Sequence, residues 1–180
     1  SFIISAGFIV LSAKIYAQAA PASADEILKE AYKEAAKEKK NVFVMFHASW
    51  CIWCHRMDSS MKDASCKSFF ESNYVVRHLV VDESKDKKNL ENPGADELRN
   101  KTGGKDQGIP YWLIYDAKGN LLADSRMRTT GNNSGTPGNN IGCPANAEEV
   151  AYFIDVLKKT SKISAGQQAD IEKRFRQNEQ

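Results

Sequence analysis

The chain has 180 residues, 42% apolar and 27% charged, which suits one soluble domain with a core of its own. Its 25 basic and 23 acidic residues leave a formal charge of +2, so there is no electrostatic case for nucleic acid or an acidic surface as partner.

Phe2 to Ala13 is almost wholly apolar, Lys14 follows, and Ala17-Gln18-Ala19 forms a small-x-small box. That order reads as a secretory leader over residues 1–19, cleaved after Ala19. A retained membrane anchor, with Lys14 snorkelling, and a buried N-terminal helix are the weaker alternatives. Export would carry the chain to the periplasm or outside the cell, where disulfides persist, and four cysteines fit that setting: Cys51, Cys54, Cys66 and Cys143. They allow three connectivities.

Ile27, Leu28, Ala31, Tyr32, Ala35 and Ala36 recur at helical spacing, so Ala24 to Lys40 is an expected amphipathic helix. Asn41 to Phe46 is a short run rich in β-branched and aromatic residues, the pattern of a strand buried on both faces. A helix is expected from Cys51 to about Met61, a second short one after Ser65, and a buried strand from Tyr74 to Val81. Asp82 to Gly94 reads as a charged, solvated loop, and Ala95 to Lys101 as a short helix ending at Gly103-Gly104. Pro110 to Tyr115 and Leu121 to Ser125 form a hairpin around Asp116–Asn120. Thr129 to Asn140 has the composition of a featureless loop. Ala145 to Lys159 is a clear amphipathic helix, and residues 161–180 read as a partly helical tail anchored only by Ile171 and Phe175. Strands alternating with helices, then a hairpin, predict an α/β domain over residues 20–160, with a mixed sheet covered by helices on both faces.

Trp50-Cys51-Ile52-Trp53-Cys54-His55 carries the chemistry. Two cysteines at this spacing can close a reversible disulfide, supply half of a zinc site or, with the following His, attach c-type haem. No second Cys-x-x-Cys or His pair follows at zinc-finger spacing, and Met57 and Met61 are too near in sequence to serve as a distal haem ligand. His47 and His78 fall within the expected strands and read as core or edge histidines.

The buried strand leading into Ala48-Ser49-Trp50-Cys51-Ile52-Trp53-Cys54, together with Gly108-Ile109-Pro110 before a later strand, resembles the thioredoxin superfamily over about residues 24–160. The nearest flavour is its exported members with a Trp-Cys-x-x-Cys-His or -Lys site. The resemblance implies the thioredoxin-like fold, a cis proline at Pro110 facing the cysteines, and thiol–disulfide oxidoreductase activity on protein substrates. It implies Cys51 as nucleophile, Cys54 as resolving thiol, a substrate surface of Trp50, Trp53, Ile109 and Pro110, and no metal or organic cofactor. An unidentified protein would donate or accept the electrons, and the chain would act as a monomer. The alternative is a thioredoxin-fold binding module without catalysis.

Cys51 at a helix N-terminus would have its thiolate favoured by unpaired N–H groups. A free thiol with pKa near 8.5 is only about 3% ionised at pH 7, against roughly half at pKa 7. His55, four residues on, is either a tuning group for Cys51 or a solvent-facing helix residue. Cys66 and Cys143 would cross-link, form a second redox pair, or stay as buried thiols; export favours the cross-link. The sequence departs from the superfamily where Met45 replaces its buried acid, where Ile52-Trp53 replaces Gly-Pro, and where Tyr111 follows the proline in place of Thr. With no polar or basic residue between the cysteines, a reductase is favoured over a strong oxidant.

Overall fold

Alternation of side chains along three buried strands builds two hydrophobic layers, one on each face of a central sheet. The computed structural model describes residues 20–128 and 138–179; the expected leader and most of the Thr129–Asn140 segment lie outside the described residues. Strand β1 (Asn41–His47) runs parallel to β2 (Tyr74–Val80) and antiparallel to β3 (Tyr111–Tyr115). β4 (Leu121–Asp124) pairs antiparallel with β3, giving the order β2-β1-β3-β4. Val42, Val44 and Phe46 join Val75, Leu79, Tyr111, Leu113 and Tyr115 in one layer, while Phe43, Met45, Trp112 and Ile114 point into the other. This two-residue period explains why the strands read as continuous apolar runs.

Helix α1 (Ala24–Glu38) covers the first layer. Ser23 and Glu26 form a capping box at its start, and Leu28, Ala31 and Ala35 form the buried stripe. α4 (Ala95–Arg99) completes that side through Ala95. The second layer is covered by α2 (Ile52–Met61), α3 (Lys67–Asn73), α5 (Ala147–Thr160) and α6 (Ala165–Arg176). The expected mixed sheet with helices on both faces is therefore the observed fold.

Three segments differ from their sequence reading. The described part of the expected tail, residues 161–179, is more than a loose tail: Ser164 and Gln167 close a capping box on a twelve-residue helix, and Ile171 and Phe175 are fully buried in the cysteine-side core. Two large apolar residues a turn apart suffice because Phe175 meets Phe153 and Phe70 with centroids 5.0 and 6.3 Å away. The charged run after β2 contains a 3-10 turn (Lys85–Leu90) and a buried carboxylate, Glu83. At the end of the expected featureless loop, β6 (Asn139–Asn140) pairs with β5 (Arg126–Met127) as a small second sheet.

Candidate functional site

β1 ends at His47, and Ala48 to Trp50 turn the chain into α2. Cys51 is the helix N-cap: its backbone is extended, and its sulfur accepts the Cys54 N–H at 3.1 Å. A sulfur thus takes the place of the usual hydroxyl or carboxylate cap. Cys51 and Cys54 are joined as a disulfide with Cα atoms 5.3 Å apart, and both are buried. One turn of helix separates them, which brings their side chains to one face.

Across from the pair, the Ile109–Pro110 peptide is cis, and the Ile109 carbonyl oxygen lies 3.6 Å from Cys51 Sγ. Asn140, which the sequence reading passed over, holds this turn. Its Nδ2 donates to the carbonyls of Gly108 (2.6 Å) and Pro110 (3.1 Å), and its Oδ1 accepts the Gly142 N–H. The only hint in the sequence is an Asn pair followed by Ile-Gly beside a turn-rich stretch, which gives no address. A groove of about 580 Å³ runs between Trp53, the Gly108–Pro110 turn and the Asn139–Gly142 segment.

The exposed surface beside the disulfide is apolar. Trp50, Ile52 and Trp53 are 57%, 68% and 45% exposed. Trp50 donates its indole N–H to the Asp82 carbonyl at 2.8 Å, so its ring is held in place. The Arg56 guanidinium sits 4.7 Å from the Trp53 ring centroid, a cation–π distance. Trp112 is fully buried and donates to the Gly142 carbonyl, as a core residue would.

His55 donates from Nε2 to the Ser49 carbonyl at 3.0 Å, so its ring ties the turn before the cysteines to the first turn of α2. His47 and His78 meet edge to face at 5.1 Å on the cysteine side of the sheet, and His78 Nε2 lies 2.9 Å from Asp58 Oδ1. Burial, with the nearby His78, pushes the His47 pKa down. Burial works to raise the Asp58 pKa, but the His78 hydrogen bond outweighs it and holds the carboxyl below its usual range. His78 is the register partner of Met45, so the polar groups of this layer sit on the neighbouring strand and on α2.

The expected Cys66–Cys143 cross-link is corrected. Both are free, buried thiols. Cys66 sits at the start of α3 beside Ser65, whereas Cys143 accepts from Asn178 Nδ2 at 3.4 Å and lines the groove near Pro110. Burial raises the Cys66 pKa and pushes the Cys143 thiol up to about 12. Neither sulfur is therefore an ionised nucleophile at neutral pH.

A family model described as thioredoxin-like matches residues 24–117, more than half of the chain. No curated protein matches it. Among solved structures, a disulphide isomerase from Xylella fastidiosa Temecula1 is 22% identical, covering 57% of this chain and 73% of its own, with a TM-score of 0.46. An oxidoreductase named DsbH is 21% identical over 85% of this chain and 95% of its own, with a TM-score of 0.39. The germline-specific thioredoxin Deadhead of Drosophila melanogaster is 24% identical over 59% and 84%, with a TM-score of 0.38.

Proposed function

Given that the chain belongs to the thioredoxin-like family, we propose that it is an exported thiol–disulfide oxidoreductase that reduces disulfides of protein substrates through Cys51 and Cys54. The single observation that carries this reading is the Cys51–Cys54 disulfide closed at a helix N-terminus, opposite a cis proline.

The exchange starts from the dithiol. The Cys51 thiolate attacks one sulfur of the substrate disulfide, the substrate S–S bond breaks, and a Cys51–substrate disulfide forms. The second substrate sulfur leaves as a thiolate and takes up a proton. Cys54 then loses its proton and attacks Cys51 Sγ, the mixed disulfide breaks, and the second substrate thiol is released. Two electrons pass from the cysteine pair to the substrate, and a donor dithiol must restore them.

Three features support this order of events. The Cys54 N–H already points at Cys51 Sγ and would stabilise charge there. Cys54 is buried within the first turn of α2 and bonded to Cys51, which suits a resolving thiol that acts on Cys51. Exposed Trp50, Ile52 and Trp53 offer an apolar surface for an extended polypeptide, and a groove of mixed polarity continues from it past Ile109 and Pro110. Reduction is favoured over oxidation because Ile52 and Trp53 bring no polar or positive group between the sulfurs. Export rests on the leader expected over residues 1–19. Among the described residues no helix is long and apolar enough to cross a membrane.

The test is reduction of insulin by the pre-reduced protein, with Cys51→Ser, Cys54→Ser and Trp53→Ala in parallel. Cys51→Ser should abolish turnover, and Cys54→Ser should accumulate the mixed disulfide. Trp53→Ala should raise KM for insulin several-fold, with its rate on a small aromatic disulfide unchanged. Failure of the wild type to reduce insulin, with Cys51→Ser no worse, would leave only a binding module. A reduction potential near −120 mV would reverse the proposed direction.

A further inference from the structure

Glu83 lies in the most charged run of the chain, yet it is only 4% exposed. A carboxylate is rarely buried to this degree without dedicated partners. Both partners here come from one residue: the Ser49 N–H donates to Glu83 Oε1 at 2.6 Å, and the Ser49 hydroxyl donates to Oε2 at 2.8 Å. Ser49 is two residues before Cys51.

Asp82 holds the next residue. Its carbonyl accepts the Trp50 indole N–H, and its backbone sits at φ 53°, in the left-handed region that is uncommon for residues other than glycine. Arg99 braces the residue with two bonds to the Asp82 carboxylate, at 2.5 and 3.1 Å, while also bonding Asp96. From the other side His55 bonds the Ser49 carbonyl. All three polar groups of Ser49 are thereby engaged, and the Cys51 turn is clamped between the end of β2 and the first turn of α2.

We propose that Glu83, acting through Ser49, is a positioning residue of the redox site: it fixes the turn that makes Cys51 an N-cap, and so sets how readily Cys51 forms its thiolate. The Cys54 N–H reaches Cys51 Sγ only while Cys51 keeps its extended cap conformation, φ −78° and ψ 98°. A turn released from Glu83 samples other conformations, and the thiolate then loses its nearest donor. Burial raises the Glu83 pKa, but the two Ser49 bonds outweigh it and hold the group below the usual carboxylate range, so the clamp stays ionised at neutral pH. The charged and titratable groups around the turn are Lys87 (Nζ 3.5 Å from Ser49 Oγ), Glu91 (accepting the Glu83 N–H), His55, His47 and the Asp82–Arg99 pair.

The inference rests on reading Cys51 as the attacking sulfur, but its test needs no substrate. Reduced protein is alkylated with iodoacetamide across a pH series, and modification of each cysteine is followed by peptide mass. Glu83→Ala should raise the Cys51 midpoint by about one unit, making alkylation roughly tenfold slower at neutral pH. Glu83→Gln keeps the shape and one acceptor, and should slow it by about threefold. Ser49→Ala should also slow it, and Glu83→Ala with Ser49→Ala should be no slower than Glu83→Ala alone, since both act through one contact. A purely structural Glu83 would lower the urea midpoint and leave the Cys51 pH profile where it was; that result overturns the proposal. So does a double variant whose loss is the product of the two single losses. Should Glu83→Ala not fold, an unchanged pH profile in Glu83→Gln overturns it equally. If wild type fails to reduce insulin while these alkylation shifts appear, the substrate reading falls and the positioning role stands.

Discussion

Truncating Phe175 to alanine removes a ring that closes the core from the C-terminal side. Phe175 is fully buried, lies 5.0 Å from Phe153 and 6.3 Å from Phe70, and shares its cluster with Cys51 and Cys54. The lost transfer energy and the cavity left between α3, α5 and α6 together cost about 3–5 kcal/mol for a fully buried Phe. Total stability of a domain is about 5–15 kcal/mol, so this is a large fraction of it. At roughly 2–4 °C per kcal/mol for a chain of this size, the Tm should fall by about 6–20 °C. Urea unfolding followed by far-UV circular dichroism measures the change directly. Phe175→Leu, which keeps most of the volume, should lose under about 1.5 kcal/mol. A loss below about 1 kcal/mol for Phe175→Ala, with an unchanged urea slope, would refute the docking of α6 as an integral part of the domain.

Two further outcomes follow from buried groups away from the disulfide. Asp124 is 5% exposed and bonds Arg126 and Arg128 at 2.6 and 2.8 Å; burial works to raise its pKa, but these bonds outweigh it and lower the pKa. A lowered folded pKa adds stability above the unfolded value, and that stability is lost as pH falls through the folded one. Asp124→Asn should therefore cost about 2 kcal/mol at pH 7, discounted for the half-exposed Arg128. The gap to wild type should narrow below about pH 4; a gap that is constant or widens in acid contradicts the pairing. In the oxidised native protein Cys66 and Cys143 should resist Ellman's reagent, and denaturant should release two thiols. Finding none after denaturation would reinstate the cross-link.

The parts of the fold legible in the sequence are those set by local pattern. Asn41–Phe46 reads as a doubly buried strand because every side chain after Asn41 is apolar. Trp50–His55 reads as a redox turn only together with that strand and Ile109-Pro110, since the cysteine spacing alone also fits zinc or haem. Glu83 was not legible. Its neighbours Asp82, Ser84, Lys85 and Asp86 give the composition of a solvated loop, and only the parallel pairing of β1 with β2 carries it to Ser49. The available signal was its position just past the end of the strand beside the cysteine strand, where ligand and catalytic groups of α/β sheets gather. Asn140 was hidden for the same reason, since its partners Gly108 and Pro110 lie thirty residues and more away. The extent of α6 was underestimated because two anchors look too few until Phe153 and Phe70 are seen to receive one of them. The cross-link failed because cysteine parity says nothing of distance, and Cys66 and Cys143 each found burial without each other.

Helices α1, α5 and α6 open with side-chain oxygens that never change their chemistry: Ser23, Asn146 and Ser164. Helix α2 opens on the sulfur of Cys51, whose charge and bonding would change with every turnover of the proposed exchange. A thiolate is a stronger acceptor for the Cys54 N–H than a disulfide sulfur, so the start of this helix would be firmer with Cys51 as thiolate than in the disulfide. Thermodynamic reciprocity makes that a two-way exchange: whatever the helix gives to the thiolate, the thiolate returns to the helix. Electron count and secondary-structure stability are thus written in the same hydrogen bond.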